Sequence, residues 1–442
     1  MISLIILFLL VSGVAIYFLK PRYFFLYWLA IQPYVLPVFF ILFTNSMLPI
    51  EDNYIPKLYF GHQNIMSELM LLLFCISYVK ENNSKLLRGI FLPFLLLVSF
   101  LFIQNYNVGF RVGTLYANII TVLWIIAPFI LLLIDKNIRP KRENLIKFIY
   151  CFVYIQLLFC VLNLVGFRIY GEVTGIFDDS LICGTFTRYN HMANYLAAFF
   201  LILSHEYFEN QGVSGKNYYL TALLIGLLII MSGSRMTFLL YMFTAIYFFC
   251  VYHGKIITIL LSIVIVMLFS TFVMGNNLFY GQNADEESGF MRNVVGLVNL
   301  ANSEDLSQGS TLGLSLYLLV SKFDSPLMGN GRAFRKDFFY GYPTDIPNEG
   351  VYMTDARLAY MLVEYGILGL SLFFLLFISM LKVCYLYSYE HDKSLYVGIG
   401  IYFLLFSLTD GGFWDYFFFS FVFIYTFSIK NNKAPMRMSI SI

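Results

Sequence analysis

Three polar stretches of the chain carry residues whose types and spacing suit the binding of an anionic group. The first reads GTFTRYNHMANYLA from Gly184 and places Arg188, Asn190 and His191 at the start of an apolar run. If this run is a helix, these residues lie at its N-terminus, where free backbone N–H groups favour an anion. The alternative interpretation is a helix cap with interfacial anchors.

The second stretch reads SGSR over residues 232–235 and joins two apolar runs. The link is too short for a free loop, so Arg235 is expected at or below a membrane surface if both runs cross a membrane. A charge at that depth is costly and usually functional. The alternative is an arginine whose guanidinium reaches out to the lipid headgroups.

The third stretch combines SPLMGNGR, which ends at Arg332, with DARLAYMLVEYGILG, which begins at Asp355; Glu349 lies between them. On a predicted helix, Glu364 lies about two and a half turns beyond Asp355. A carboxylate at that depth needs a buried partner, for which an arginine is suitable. The alternative is a structural tie between two helices.

The composition indicates that these stretches belong to a membrane protein. Hydrophobic residues make up 60% of the 442 residues, charged residues make up 12%, and the mean hydropathy is +0.75. A soluble domain carries about 25% charged residues, and no soluble fold hides this much apolar surface. The chain is therefore predicted to be a polytopic membrane protein, which excludes a cytosolic enzyme, a secreted disulfide scaffold and a nucleic-acid-binding protein.

The six cysteines and five histidines show no spacing typical of a metal site. Most of the cysteines lie in apolar runs, where a free thiol is ordinary helix packing. We therefore expect neither a metal nor another cofactor. The net charge of +2 indicates no polyanionic partner by itself.

A membrane-spanning helix needs about 17 to 25 apolar residues, and thirteen such runs are predicted. They cover residues 3–19, 23–43, 64–79, 89–104, 112–134, 146–167, 190–208, 218–232, 236–252, 256–274, 356–383, 394–409 and 413–429. The chain then divides into ten spans within 1–274, an extracytoplasmic loop with short helices at 275–355, three spans within 356–429 and a cytoplasmic tail at 430–442. The expected fold is all-α.

Lysine and arginine in the loops predict the orientation. One alternating set of loops holds 17 of the 28 basic residues, 12 of them lysine, and is expected to be cytoplasmic. The other side holds three lysines and these eight arginines: Arg111, Arg168, Arg188, Arg235, Arg292, Arg332, Arg335 and Arg357. A guanidinium binds phosphate or carboxylate through two parallel hydrogen bonds, so this bias favours an anionic ligand outside. For any single arginine, pairing with an acidic loop residue is the alternative.

At the three stretches the chain resembles the O-antigen ligase/polymerase family of bacterial envelope glycosyltransferases. The family's marks are GTF-x-x-x-NH-x-A-x-YL at the entry to a middle helix, SGSR between two spans, and a long outer loop ending in SPL-x-G-x-G and EYGI-x-GL. The resemblance covers roughly residues 180–240 and 290–375. Ligases carry a histidine where this chain reads Thr354-Asp355-Ala356, so the chain is most similar to the Wzy-type polymerases of O-antigen and capsule.

The resemblance implies a GT-C-like glycosyltransferase of the bacterial plasma membrane with its active site on the periplasmic or extracellular side. The donor is a glycan on undecaprenyl pyrophosphate, and the acceptor is the non-reducing sugar of another lipid-linked repeat unit. Arginines neutralise the leaving pyrophosphate in place of a metal. The residues implied for substrate binding are Arg188, Arg235, Arg292, Arg332, Arg357 and Asn190.

The resemblance also implies that Asp355 or Glu349 is the base for the acceptor hydroxyl, with His191 as the alternative. The expected partners are the lipid bilayer, a flippase and a chain-length regulator, and no nucleic acid. Two other functions remain open. A ligase would transfer the same glycan to lipid A–core, whereas a transporter would move it across the membrane and is expected to place ionisable groups near the midplane.

Overall fold

In the computed structural model, the regular structure of the described residues is helical throughout. The described residues are 2–27, 30, 84–107, 129, 132–165, 182–186, 189–210, 212–253, 325–331, 357–387, 393–408 and 416–428. Within these ranges there is no β-strand. The prediction of an all-α chain is confirmed over this part of the sequence.

Besides a short helical segment at residues 21–27, the α-helices in these ranges each lie within a few residues of a predicted span. They are α1 (Ile2–Leu19), α2 (Ser84–Asn107), α3 (Arg142–Leu164), α4 (Tyr189–Phe208), α5 (Gly215–Ser232), α6 (Arg235–His253), α7 (Arg357–Tyr387), α8 (Lys393–Leu408) and α9 (Tyr416–Phe427). Their bounds follow the apolar runs because charged and loop-forming residues interrupt those runs at both ends.

Four described helical segments are long and apolar enough to cross a membrane, namely Arg88–Asn107, Arg142–Leu164, Gly215–Ser232 and Met361–Leu386. Two shorter apolar helices cover Thr237–Tyr252 and Ser394–Phe403. The chain is thus a membrane protein by the length and composition of its helices. The count of thirteen spans stays a prediction. Three further predicted spans, 3–19, 190–208 and 413–429, coincide with α1, α4 and α9. The other four lie wholly or mostly outside the described residues, namely 23–43, 64–79, 112–134 and 256–274.

Helix α4 forms the centre of the described bundle. It packs against α3, α5, α6, α8 and α9, and every side chain from Met192 to Glu206 is buried. A helix that is apolar on all sides is stable only when other helices or lipid surround it. Helix α7 lies further out and packs against α2, α8 and α9.

Contacts between helix termini define two ends of the bundle. At one of them, the Arg142 end, the start of α3 meets the ends of α4 and α9 through Arg142, Glu206 and Tyr425. Three more helix termini lie there. Tyr252, at the end of α6, and Ser394, at the start of α8, both lie beside Glu209. Tyr396 of α8 donates its hydroxyl to the Cys384 carbonyl near the end of α7.

The opposite end, the motif end, holds the C-termini of α2, α3 and α5 and the N-termini of α4, α6 and α7. This follows because Gln104 of α2 bonds to α7, Cys160 of α3 contacts Met192, and Thr237 of α6 bonds to α4. The directions of the described helices agree with the alternation that the loop charges predict. Placing the motif end outside the cell stays a prediction from those charges.

Candidate functional site at the motif end

The first and second polar stretches meet in a buried chain of hydrogen bonds. The Thr237 hydroxyl of α6 donates to Oδ1 of Asn194 on α4 at 2.9 Å, and the hydroxyls of Ser234 and Thr237 lie 2.8 Å apart. All three side chains are buried. Because α4 and α6 run in the same direction, their first turns, which hold Asn190 and Arg235, start side by side at the motif end.

Two carboxamides of α3 hold the backbone that leads into α4. The Gly184 N–H donates to Oδ1 of Asn163, the Thr185 N–H donates to Oε1 of Gln156, both at 2.9 Å, and the Gln156 amide donates to the Thr185 hydroxyl at 2.6 Å. Phe186 then packs edge-on against Tyr195 at a centroid distance of 5.2 Å. The GTF part of the first stretch is therefore fixed against α3 and α4, two residues before Arg188.

The third stretch forms a junction between residues 325–331, here the docked segment, and a break in α7. Gly366 has φ 66° and ψ −177°, so the helix is interrupted there. The span predicted over 356–383 corresponds to the candidate membrane span Met361–Leu386, and the break at Gly366 lies inside it, which the sequence did not predict. The break frees backbone N–H and C=O groups, which need other partners inside a membrane protein.

The docked segment supplies those partners from about forty residues upstream. Its Asn330 and Gly331 N–H groups donate to the carbonyls of Val363 and Glu364, both at 2.8 Å. In return, the N–H groups of Ile367 and Leu368 donate to the carbonyls of Pro326 and Leu327, at 2.9 Å and 3.1 Å. The two halves of the third sequence motif are therefore one structural unit.

A side chain of α2 closes this junction. The Gln104 carboxamide donates to the Glu364 carbonyl at 2.7 Å and to the Met328 carbonyl. Glu364 is fully buried beneath it, as its depth in the predicted helix required. A Cβ at Gly329 would meet backbone atoms of Glu364 and Gly366, so the docked segment approaches α7 as closely as two backbones can.

The predicted site residues fall into two groups. Asn190 and His191 lie in the first turn of α4, and Arg235 and Arg357 are the first residues of α6 and α7. The contact of Asn194 with Thr237 brings the backbones of the first three to one place. The remaining predicted site residues lie outside the described residues: Arg188, Arg292, Arg332, Glu349 and Asp355.

The sequence interpretation missed a buried polar cluster at the Arg142 end. Arg142 forms an ion pair with Glu206 at 3.6 Å and lies over the Tyr425 ring, 4.6 Å from its centroid. The Tyr425 hydroxyl donates to Glu206 and lies 2.7 Å from Nδ1 of His205. The available signal was the run HEYFE, which places three ionisable groups within one turn of a span's end.

Hydrogen bonding decides the charge of Glu209 in this cluster. Burial raises the pKa of Glu209, but the bonds from His205, Ser394 and Tyr252 outweigh burial and hold the pKa below its usual value. Glu209 is therefore ionised at neutral pH and stabilises the fold there. That contribution is lost as the pH falls through the folded-state pKa.

Two arginines at the Arg142 end donate hydrogen bonds to backbone carbonyls, a role that the loop charges did not predict. Arg139 is 1% exposed and donates to the carbonyls of Leu132 and Ile134. Arg22 donates through Nε and Nη2 to the Asn137 carbonyl at 2.9 Å and 2.6 Å. These two arginines are structural residues. An excess of arginine on the other side of the membrane is therefore not by itself evidence for an anionic ligand.

No protein-family model matches the chain, and no curated protein sequence matches it. Within the part of the chain that the structure describes, no three His, Cys, Asp or Glu side chains come together as a metal site. The function must therefore be inferred from the residues and from the contacts at the motif end.

Proposed function

We propose that this protein polymerises undecaprenyl-pyrophosphate-linked oligosaccharide repeat units into O-antigen or capsular polysaccharide at the outer face of the bacterial plasma membrane. The main support is that the described parts of all three motif stretches lie at the motif end of one helical bundle. The docking of SPLMGNG onto the EYGILG break is the observation that carries most weight, because it unites two segments that the resemblance had only listed in order.

In the proposed reaction, a base takes the proton of the acceptor hydroxyl as its oxygen attacks the anomeric carbon of the donor glycan. The bond from that carbon to the phosphate oxygen breaks, and undecaprenyl pyrophosphate leaves with the electron pair. Asp355 is the proposed base, with Glu349 and His191 as alternatives. Arg188 and Arg235 stabilise the charge of the pyrophosphate, and the further contacts come from Arg292, Arg332, Arg357 and Asn190.

The parallel starts of α4 and α6 support the assignment of Arg235 and Arg188 to one anion. Each helix N-terminus directs unpaired N–H groups and the positive end of its dipole toward the motif end. The buried bond between Asn194 and Thr237 fixes the two starts relative to one another. A pyrophosphate placed there would meet two helix starts, one of which begins with Arg235.

The distribution of charge argues against a transporter. From α2 to α9, the lysine, arginine, aspartate and glutamate residues lie within about three turns of a helix terminus, and the central turns of these helices carry none. A transporter is expected to hold ionisable groups and broken helices near the midplane. The one break described here, at Gly366, is near the motif end, and the docked segment fills it.

The proposal is tested by the lipid-linked products of a strain lacking the gene, complemented with wild-type protein or Asp355→Asn. The deletion strain is expected to hold single repeat units on undecaprenyl pyrophosphate and no long chains. Asp355→Asn is expected to restore less than about 1% of the chains, because loss of a general base costs about 10²–10⁴-fold. Long chains that persist on the lipid carrier, with only their transfer to lipid A–core lost, would instead establish the ligase.

A further inference from the structure

The carboxamide of Gln104 joins three separate pieces of the chain. It is 2% exposed near the end of α2, and its Nε2 donates to Met328 in the docked segment and to Glu364 in α7. The Glu364 carbonyl also accepts from the Gly331 N–H at 2.8 Å. One amide therefore holds α2, the docked segment and the first part of α7 in a single arrangement.

The rest of the contact between α2 and α7 does not need this amide. Phe100 of α2 lies against Gly369, and Gly89 lies against Val383, so the two helices pack through apolar side chains along their length. Gln104 lies beyond these contacts, where the docked segment meets the break in α7. The carboxamide therefore fixes the junction at the motif end, while the apolar contacts hold the two helices together along the rest of their length.

Two of the predicted substrate-binding residues lie close in sequence to this junction. Arg332 follows Gly331 in the chain, and Arg357 lies seven residues before Glu364, about 10 Å along a helix that rises 1.5 Å per residue. Any shift of the docked segment against α7 therefore changes the separation between Gly331 and the start of α7.

We propose that Gln104 is a positioning residue for glycosyl transfer, which clamps the docked segment to α7 and so fixes Gly331, the residue before Arg332, relative to the start of α7 at Arg357. This inference rests on the proposed function. The expected effect is on the geometry of the reacting groups rather than on substrate affinity. A displacement of about 1 Å near reacting groups lowers rates by about a hundredfold. Loss of the clamp should therefore lower kcat more than it raises KM.

The test compares Gln104→Leu and Gln104→Met, two apolar side chains that cannot donate a hydrogen bond, with Tyr396→Phe. The Tyr396 hydroxyl donates to the Cys384 carbonyl at the other end of α7, so its loss removes the same kind of bond away from the junction. The first readout is cross-linking of Leu327→Cys to Leu368→Cys in a chain without its native cysteines. These two side chains are exposed, and their backbones are hydrogen-bonded at 3.1 Å.

The second readout is the transfer rate of the purified variants on lipid-linked repeat units extracted from a deletion strain. Both Gln104 variants are expected to slow cross-linking and to lower kcat about ten- to a hundredfold with less than about a threefold change in KM, while Tyr396→Phe keeps both. Unchanged cross-linking would reject the clamp, and slowed cross-linking with an unchanged kcat would reject the positioning role. If cross-linking depends on Gln104 but the wild-type protein transfers no glycan, the proposed function fails and the clamp stands.

Discussion

Arg235→Lys and Arg188→Lys are each expected to lower glycosyl transfer by about 10²–10³-fold while leaving the amount of protein in the membrane unchanged. A lysine keeps the charge but presents it at one point, whereas a guanidinium binds two phosphate oxygens at once. The difference matters most in the transition state, where the pyrophosphate gains charge as the glycosidic bond breaks. The measurement is the initial rate of chain elongation in isolated membranes supplied with lipid-linked repeat units.

The matched control is Arg22→Lys. Arg22 also uses two donors, but both bond to the Asn137 carbonyl next to the start of α3, on the side that the loop charges assign to the cytoplasm. This variant is expected to retain most of the activity. Full activity in both motif-end lysine variants would leave Arg188 and Arg235 with a topological role only and would remove the basis for the anion site.

Gly366→Ala is expected to lower transfer by about a hundredfold and to make the motif end more sensitive to proteolysis. The backbone at Gly366 has φ 66° and ψ −177°, a conformation that only glycine adopts readily. A Cβ there would also meet backbone atoms of Leu327 and Gly329, which cannot move aside as a flexible side chain could. The alanine variant must therefore either close the helix or expel the docked segment.

Gly400→Ala separates this effect from a general response of the bundle. Gly400 lies inside α8, and a Cβ at that position meets no atom within 4 Å. Alanine also has the higher helix propensity, so this variant is expected to match or slightly exceed the wild type in thermal stability and to keep its activity. Wild-type activity and protease resistance in Gly366→Ala would show that the break in α7 is not required.

Helix positions in this chain could be predicted because the apolar runs encode them locally. The run that became α4 is predicted as a helix from its length and hydropathy, whereas its central position depends on tertiary contacts with α3, α5, α6, α8 and α9. The break at Gly366 could not be predicted in the same way, since EYGILG lies in the middle of a run that is long enough to span as one helix. The compensating hydrogen bonds come from Pro326 to Gly331, and pairing over that distance leaves no periodic signal.

The site residues illustrate the same limit. The type and order of Arg188, Arg235 and Asp355 led to a testable reaction. The structure adds that the neighbouring Asn194 and Thr237 are hydrogen-bonded and so join two of the stretches. The cluster around Arg142 and Glu206 was missed because its partners are far apart in sequence and its arginine also satisfies the loop-charge rule. Each of these contacts is a tertiary one, and only the folded chain reveals which of several polar residues meet.

The central claim is tested most directly by incubating the purified protein in lipid vesicles with single repeat units on undecaprenyl pyrophosphate, in the presence of a metal chelator and without lipid A–core. We expect a ladder of longer chains on the lipid carrier and the release of one undecaprenyl pyrophosphate for each unit added. Under the same conditions, Arg235→Lys is expected to nearly abolish the ladder. Repeat units that remain single with the wild-type protein, and chains that form only when lipid A–core is added as acceptor, would contradict the central claim.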